Sequence, residues 1–212
     1  VVAGAERLRV RLSDQREFIA RVVGSDPHTD LAVLKVPAWN LRPASMGDSR
    51  KLRAGDSVVA IGTPLGFEHS VSVGVVSANR TGPLRVDGAV LGDMIQTDAA
   101  INQGNSGGGL FNAAGELIGI NTAIMVTRGN SGSIGIGFAI PTHRVRPVVQ
   151  SLRAHGRVPR PWLGIRYERP HYAPTLIRQV RHGRGVRVQD VLPNSPAELA
   201  GLRPDDIVRQ IG

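Results

Sequence analysis

The sequence predicts a mainly β fold, and three features of the chain indicate it. Short segments alternate between apolar and polar residues, as in Leu8, Val10 and Leu12, which places one face of a strand in the interior. Glycine, proline, asparagine and aspartate separate these segments at short intervals. One segment, from Thr142 to His155, has the apolar periodicity of a helix. Together these features indicate an all-β barrel or sandwich followed by a helix.

The predicted strands follow one another along the first half of the chain. They are Arg7–Leu12, Glu17–Val23, Asp30–Val36, Ser57–Gly62 and Val71–Val76. A second β segment is expected from about Leu84 to Pro141. In the helix that follows, we expect Thr142 to be the N-cap and Gly156 to stand just past the end. Prolines at positions 159 and 161 then predict a stiff linker.

Composition and charge exclude several classes of protein. The chain has no cysteine, which excludes disulfides, thiolate metal sites and cysteine nucleophiles. It has no apolar run of membrane-spanning length and no signal peptide at its first residues. The formal net charge is +9, and eleven arginines stand between Arg144 and Arg187. They match no nucleic-acid-binding motif, so we interpret them as a solvated surface and expect no nucleic acid partner.

The candidate for chemistry is Ser106, which lies in the run Gly104-Asn105-Ser106-Gly107-Gly108-Gly109. Glycine tolerates backbone conformations with positive φ, so such a turn can expose one hydroxyl. It can also direct the N–H groups of Gly104 and Ser106 at one point, as an oxyanion requires. The six residues alone are equally compatible with a glycine-rich hairpin turn that holds an ordinary serine.

The flanking sequence resembles the protease domain of the HtrA/Deg family. The resemblance rests on Asp98–Gly108, Gly115–Ile124 and Gly135–Pro141, and it extends along nearly the whole chain. One departure is Gly109, where many members have proline or alanine, and we expect it to soften the turn without removing the nucleophile. The resemblance implies a trypsin-like double β-barrel followed by one or two PDZ domains.

The resemblance also implies a division of the chain into four parts. Residues 1–83 are expected to form the N-terminal barrel, incomplete at its start, and residues 84–141 the C-terminal barrel with the nucleophile loop. Residues 142–160 form the helix and linker, and residues 161–212 a partial PDZ domain. Its carboxylate-binding loop is expected at Trp162-Leu163-Gly164-Ile165. No metal or cofactor is expected.

A serine nucleophile needs a base and a carboxylate that orients the base. The resemblance assigns the carboxylate to Asp30, with Asp26 and Asp98 as nearby alternatives, and Asp98 is expected to brace the Ser106 loop. The triad histidine is expected immediately before Val1, so the chain as written lacks its base and is expected to be inactive. We interpret the histidines that are present as solvated.

The resemblance further assigns the oxyanion hole to Gly104, Asn105 and Ser106. It assigns substrate binding to six residues with small or apolar side chains, namely Ile101, Thr122, Ala123, Ile124, Met125 and Val126. No acidic residue stands where a trypsin-type pocket would read a basic side chain, so cleavage is expected after small or aliphatic residues.

The implied function is ATP-independent degradation of misfolded proteins through an acyl-enzyme, in a homotrimer or larger assembly outside the cytoplasm. A complete PDZ domain would bind peptide C-termini. Any membrane association would come from a segment upstream of Val1. The first alternative is a non-catalytic chaperone or peptide-binding module with a protease-like fold. The second is an anion-surface binder that uses the arginine-rich segment.

Overall fold

The computed structural model describes residues 2, 4–63, 70–82, 84–86, 89–124, 133–168 and 185–210. Contacts within the chain divide it into two compact units, Val1–Val158 and Pro159–Gly212. The first unit holds eleven of the described strands and a long helix, which confirms the mainly β prediction.

The first three strands of unit 1 form an antiparallel sheet in chain order. They are β1 (Leu8–Arg11), β2 (Glu17–Asp26) and β3 (Leu31–Lys35). Leu8 and Val10 alternate with exposed arginines along β1, as the period of a half-buried strand requires. Asp30, just before β3, has a positive φ of 56°, so the chain turns sharply at this carboxylate.

Six further strands close into a barrel. They are β4 (Ser57–Gly62), β5 (Ser70–Arg80), β8 (Met94–Thr97), β9 (Gly109–Asn112), β10 (Leu117–Ile124) and β11 (Gly137–Pro141). The strand order around the barrel is β10-β11-β8-β5-β4-β9. The strands β6 (Leu84–Val86) and β7 (Ala89–Leu91) form a separate antiparallel pair.

The strand pairing in the closed barrel contradicts the predicted boundary between two barrels at residue 83. The strands at 57–62 and 71–76 were predicted to belong to the first barrel. In the structure β4 pairs with β9, and β5 pairs with β8, so both strands belong to the barrel that carries Ser106. Local alternation predicts that a strand exists, but its partners lie tens of residues away and are decided by packing.

The helix α1 (Thr142–His155) has the predicted bounds, and Gly156 ends it in the left-handed conformation with φ of 70°. The N-cap prediction is wrong, because Pro141 occupies that position and makes no side-chain capping bond. The Thr142 hydroxyl instead donates to the Gly47 carbonyl at 2.8 Å. It therefore anchors the helix to the segment before the short 3-10 helix Ser49–Lys51.

Unit 2 contains a three-stranded sheet and a one-turn helix. Its strands are β12 (Ile165–Glu168), β13 (Val186–Val191) and β14 (Ile207–Val208), and its helix is α2 (Pro196–Leu199). Gly164 has a φ of 78°, and a Cβ there would lie 2.2 Å from the Ser195 Cβ. The predicted carboxylate loop therefore packs tightly on the start of α2, while the PDZ assignment itself stays a prediction.

Candidate active site

Ser106 lies in the loop between β8 and β9, at the edge of the closed barrel. Two backbone hydrogen bonds connect this loop to β10: the Gly107 N–H donates to the Asn121 carbonyl at 2.8 Å, and the Asn121 N–H donates to the Gly108 carbonyl at 2.9 Å. Each such bond contributes about 1 kcal/mol. The loop is therefore fixed directly beside the serine.

Gly108 is required at its position by a close approach of the backbone. A Cβ on Gly108 would lie 2.1 Å from the Ile61 carbonyl oxygen at the end of β4. The neighbouring Gly62 has the same requirement, because its Cβ would lie 2.7 Å from the Asn105 Cα. The nucleophile loop thus lies against β4 without space for a methyl group between them.

The loop that carries Ser106 and the turn that carries Asp30 are connected through Thr122 in β10. The Ser106 hydroxyl donates to the Thr122 carbonyl at 3.0 Å. The Thr122 hydroxyl donates to the Asp30 carboxylate at 2.5 Å. The nucleophile loop, strand β10 and the turn before β3 therefore meet at one residue, although Asp30 and Thr122 are 92 positions apart in the sequence.

The amides predicted to form the oxyanion hole have no acceptor among the described residues. Gly104 has a φ of 101°, a left-handed conformation that favours glycine. Its N–H and that of Ser106 make no hydrogen bond within the described chain, whereas the Asn105 N–H donates to the Asn102 carbonyl at 3.0 Å. Two unpaired donors beside a serine hydroxyl are the arrangement that could bind a developing oxyanion.

Asn105 itself holds the loop from the inside. Its side chain is 4% exposed, and its amide donates to the Ala100 carbonyl at 3.2 Å. Its Oδ1 is buried and has no hydrogen-bond partner among the described residues. Asn105 therefore supports the loop from the interior, and its assignment to the oxyanion hole stays a prediction.

The predicted substrate-binding residues occupy different environments. Ile101 is 1% exposed and belongs to the barrel core, where a Cβ on Gly137 would lie 2.9 Å from its Cδ1. The backbone of Thr122, Ala123 and Ile124 forms the end of β10. Met125 and Val126 lie outside the described residues. Contact of any of these residues with substrate stays a prediction.

The alternative carboxylates are engaged elsewhere. Asp26 is buried and accepts the Thr29 hydroxyl at 2.7 Å. Asp98 accepts the Val75 N–H of β5 at 2.7 Å, so it connects the segment after β8 to β5. Asp30, by contrast, is connected to Ser106 through Thr122.

The histidines of the described chain include an exposed one and a half-buried one. His28 is an exposed loop residue, as predicted. His143 contradicts the expectation that it is solvated, because its Nδ1 lies 2.9 Å from the Ser49 hydroxyl and its Nε2 lies 3.5 Å from the Asp93 carboxylate. Ser49 is buried and also accepts the His143 N–H at 3.1 Å, so this pair fixes the start of α1.

The hydrogen bond from Thr122 to Asp30 was not predicted from the sequence, where Thr122 was expected only as a substrate contact. No local pattern pairs a threonine of one strand with an aspartate 92 residues away. Asn121 left a clearer signal, since an asparagine in a mostly apolar strand, if buried, needs hydrogen-bond partners. Within the described chain, no cluster of residues could hold a metal ion.

Comparison with known proteins relates the chain to trypsin-like serine proteases. A trypsin-like peptidase domain model matches residues 1–120. The chain is 45% identical over 208 residues to a probable periplasmic serine endoprotease, DegP-like, of Marinomonas sp. strain MWYL1, covering 98% of this chain and 43% of that protein. It is 43% identical over 212 residues to the periplasmic serine endoprotease DegP of Salmonella typhimurium, covering 100% of this chain and 44% of that protein. The chain thus spans less than half the length of these curated relatives.

Solved structures show the same fold. The HtrA-type protease AlgW with a bound tripeptide aligns with a TM-score of 0.88 at 47% identity, over 98% of this chain and 67% of that one. A serine endoprotease from Yersinia pestis aligns with a TM-score of 0.76 at 38% identity, over 96% of this chain and 64% of that one.

Proposed function

Because the chain belongs to the HtrA/DegP family of trypsin-like serine proteases, we propose that the protein is an ATP-independent serine endopeptidase of protein quality control. The observation that carries the proposal is the connection of Ser106 to Asp30 through Thr122, beside two amides that have no acceptor among the described residues. The periplasmic names of its relatives support a location in the periplasm or cell envelope.

In the proposed mechanism, the Ser106 Oγ attacks the carbonyl carbon of a peptide bond. The histidine that we expect immediately before Val1 takes the hydroxyl proton and later gives it to the leaving amine. Asp30 orients that ring, and Thr122 holds Asp30 in place through its hydroxyl. The N–H groups of Gly104 and Ser106 bind the oxyanion, and water then hydrolyses the acyl-enzyme.

The substrates proposed are unfolded or misfolded proteins, cleaved after small or aliphatic residues. The apolar residue types at positions 101, 123 and 124 of the sequence support this preference. Unit 2 is proposed to be part of a PDZ domain that binds peptide C-termini, with Trp162–Ile165 as its carboxylate loop. Support comes from the Leu163 and Gly164 carbonyls, which accept N–H groups from Ala197 and Leu192 and so fix the loop backbone.

The test has two parts. The residue that precedes Val1 is read from the encoding DNA, and the full-length protein is incubated with unfolded casein, with Ser106→Ala as the control. We expect histidine at that position and casein cleavage that Ser106→Ala abolishes. Another residue there, or cleavage that survives Ser106→Ala, would remove the catalytic proposal. The alternative function, a non-catalytic chaperone or peptide-binding module, would then be the better interpretation of this fold.

A further inference from the structure

Asn121 is a buried polar residue in the mostly apolar strand β10. Its side chain is 1% exposed. The register of β10 with β11 shifts between Asn121 and Ala123, so Thr122 is the extra residue of a β-bulge. A bulge changes the direction of the side chains around it and is frequent beside active sites. The bulge therefore decides where the side chains of Asn121 and Thr122 point.

The side-chain amide of Asn121 is hydrogen-bonded to carbonyl groups of two different strands. Its Nδ2 donates to the Ile61 carbonyl in β4 at 3.4 Å and to the Gly109 carbonyl in β9 at 3.3 Å. An amide nitrogen carries two hydrogens, so it can donate to both acceptors at once. The side chain of Asn121 thus joins β4 to β9.

The two acceptor carbonyls lie where the pairing of β4 with β9 stops. The last pair of this ladder is Ala60 with Leu110. In the same antiparallel register the next pair would be Ile61 with Gly109, but this pair is not formed, and the chain continues into the nucleophile loop. The amide of Asn121 therefore replaces the ladder hydrogen bonds at the point where the two strands separate.

Backbone groups of Asn121 bind the nucleophile loop as well. The Asn121 carbonyl accepts the Gly107 N–H, and the Asn121 N–H donates to the Gly108 carbonyl. With the bond from Nδ2 to Gly109, this one residue contacts the three positions that follow Ser106. A substitution leaves the two backbone bonds possible and removes the side-chain bond, so the contribution of the amide can be measured separately.

The amide of Asn121 has a cost that an apolar side chain would avoid. Its Oδ1 is buried and has no hydrogen-bond partner among the described residues, and such a group destabilises a fold. The space that the amide spans is narrow, since a Cβ on Gly108 would lie 2.1 Å from the Ile61 carbonyl oxygen. A residue that costs stability while it sets the spacing beside a nucleophile points to a functional task.

We propose that Asn121 is a positioning residue, whose side-chain amide fixes the distance between β4 and the loop that carries Ser106. The inference rests on the proposed peptidase function. Through this distance the amide sets where the Ser106 Oγ and the N–H groups of Gly104 and Ser106 lie relative to the substrate carbonyl. Asn121 acts through the backbone of the loop, without contact to the substrate. A misplacement of about 1 Å can lower a reaction rate about a hundredfold.

The experiment measures the rate constant with which a fluorophosphonate labels Ser106 in the full-length protein. Each variant is labelled well below its own thermal midpoint of unfolding, so that nearly all molecules are folded and a loss of stability alone leaves the rate constant unchanged. We expect Asn121→Ala to lower the rate constant at least about tenfold. On a peptide substrate, kcat should fall while KM changes less than about threefold.

The matched control is Asn112→Ala. Asn112 belongs to the same pair of strands, and its amide donates to the Glu116 carboxylate at 2.8 Å. It lies at the opposite end of β9 from the nucleophile loop. We expect this variant to lower the thermal midpoint of unfolding but to keep the labelling rate constant within about twofold of wild type.

A second variant, Asn121→Asp, keeps the shape of the side chain and provides a test even if the alanine variant does not fold. An ionised carboxylate has no hydrogen to donate, whereas a protonated carboxyl group has one. Burial raises the pKa of a carboxyl group. We therefore expect the labelling rate constant, divided by that of wild type at the same pH, to rise at least about threefold as the pH falls from about 8.5 to about 6.

Three outcomes would overturn the inference. A wild-type rate constant in folded Asn121→Ala would show that the amide does not position the nucleophile. Equal losses in Asn121→Ala and Asn112→Ala would show that any weakening of these strands slows labelling. A relative rate of Asn121→Asp that does not change with pH would show that the donated hydrogen is not what matters. If wild type itself gives no adduct on Ser106, the proposed peptidase function fails, and this inference fails with it.

Discussion

At the scale of single residues, the Thr122 hydroxyl has the clearest task. It donates to the Asp30 carboxylate at 2.5 Å, and a hydrogen bond to a charged group is worth about 1.5–3 kcal/mol. Because the Thr122 carbonyl is a backbone group, a substitution of the side chain leaves the bond from Ser106 in place. The two contacts of this residue can therefore be separated by mutation.

We predict that Thr122→Val lowers kcat/KM of the full-length protein on a peptide substrate by about tenfold to a hundredfold, mainly through kcat. Valine keeps the branched shape but leaves Asp30 without its donor. Thr122→Ser retains the hydroxyl and should preserve at least about a third of the wild-type kcat/KM. If serine and valine reduce the rate equally, the hydroxyl does not position Asp30.

The sequence alone singled out Ser106 by its glycine-rich run, and the family resemblance added Asp30; the catalytic roles of both stay predictions. It could not reveal the bond between Asp30 and Thr122, since that contact depends on the closure of the barrel against the first sheet. The same limit explains His143, whose partners Ser49 and Asp93 come from two other parts of the chain.

At the scale of elements, Gly108 and Gly109 form a natural comparison. A Cβ on Gly108 would meet the Ile61 carbonyl oxygen at 2.1 Å, which is backbone and cannot move alone. A Cβ on Gly109 would meet the Phe111 ring at 2.5 Å, which is a side chain that can rotate. Gly109 is the first residue of β9. Because it has no side chain, the Phe111 ring can lie next to it.

We predict that Gly108→Ala lowers casein cleavage at least about a hundredfold, because a shift of about 1 Å in the nucleophile loop is costly to catalysis. Gly109→Ala should stay within about threefold of wild type, since a side chain that can repack adds little strain. Initial rates of the two purified proteins would check this. Similar losses in both would show that the loop tolerates neither methyl group and would contradict the distinction drawn from the Ile61 contact.

The corner between β7 and β8 depends on Asp93. Its carboxylate accepts the Gly82 N–H at 2.7 Å and lies 3.5 Å from the His143 Nε2. The Gly82 bond is the main cause that lowers the pKa of Asp93, and His143 and Arg144 lower it further. A lowered pKa in the folded state means that the charged carboxylate stabilises the fold.

We predict that Asp93→Asn lowers the urea midpoint at pH 7 and that this difference disappears as the pH falls below about 4. The sign follows because the stabilisation is present above the unfolded-state pKa and is lost as the pH falls through the folded-state pKa. Asp190→Asn is the control, since that exposed carboxylate has no hydrogen bond in the described chain. A difference that stays constant down to pH 3 would contradict the assignment to the Asp93 charge.

At the scale of the whole molecule, the sequence predicted the class of fold but not the assignment of strands to barrels. Alternating residues identified β4 and β5 as strands. Their membership in the second barrel depends on pairing with β9 and β8, which no local pattern encodes. The helix was easier to predict, because its apolar periodicity and its terminal glycine are both local signals.

Assembly belongs to this scale too. The family resemblance leads us to predict that the full-length Ser106→Ala protein is a homotrimer or a larger assembly in solution. Mass photometry at physiological salt should give three times the mass of one chain, or a multiple of that value. A mass equal to one chain at all concentrations would contradict the prediction.

The central claim is that Ser106 is the nucleophile, and covalent labelling tests it most directly. The full-length protein is treated with a serine-reactive fluorophosphonate, and the modified residue is identified by mass spectrometry. We predict a single adduct on Ser106 that disappears in Ser106→Ala and is reduced in Thr122→Val. An adduct on another serine, or no adduct while casein is still cleaved, would contradict the claim.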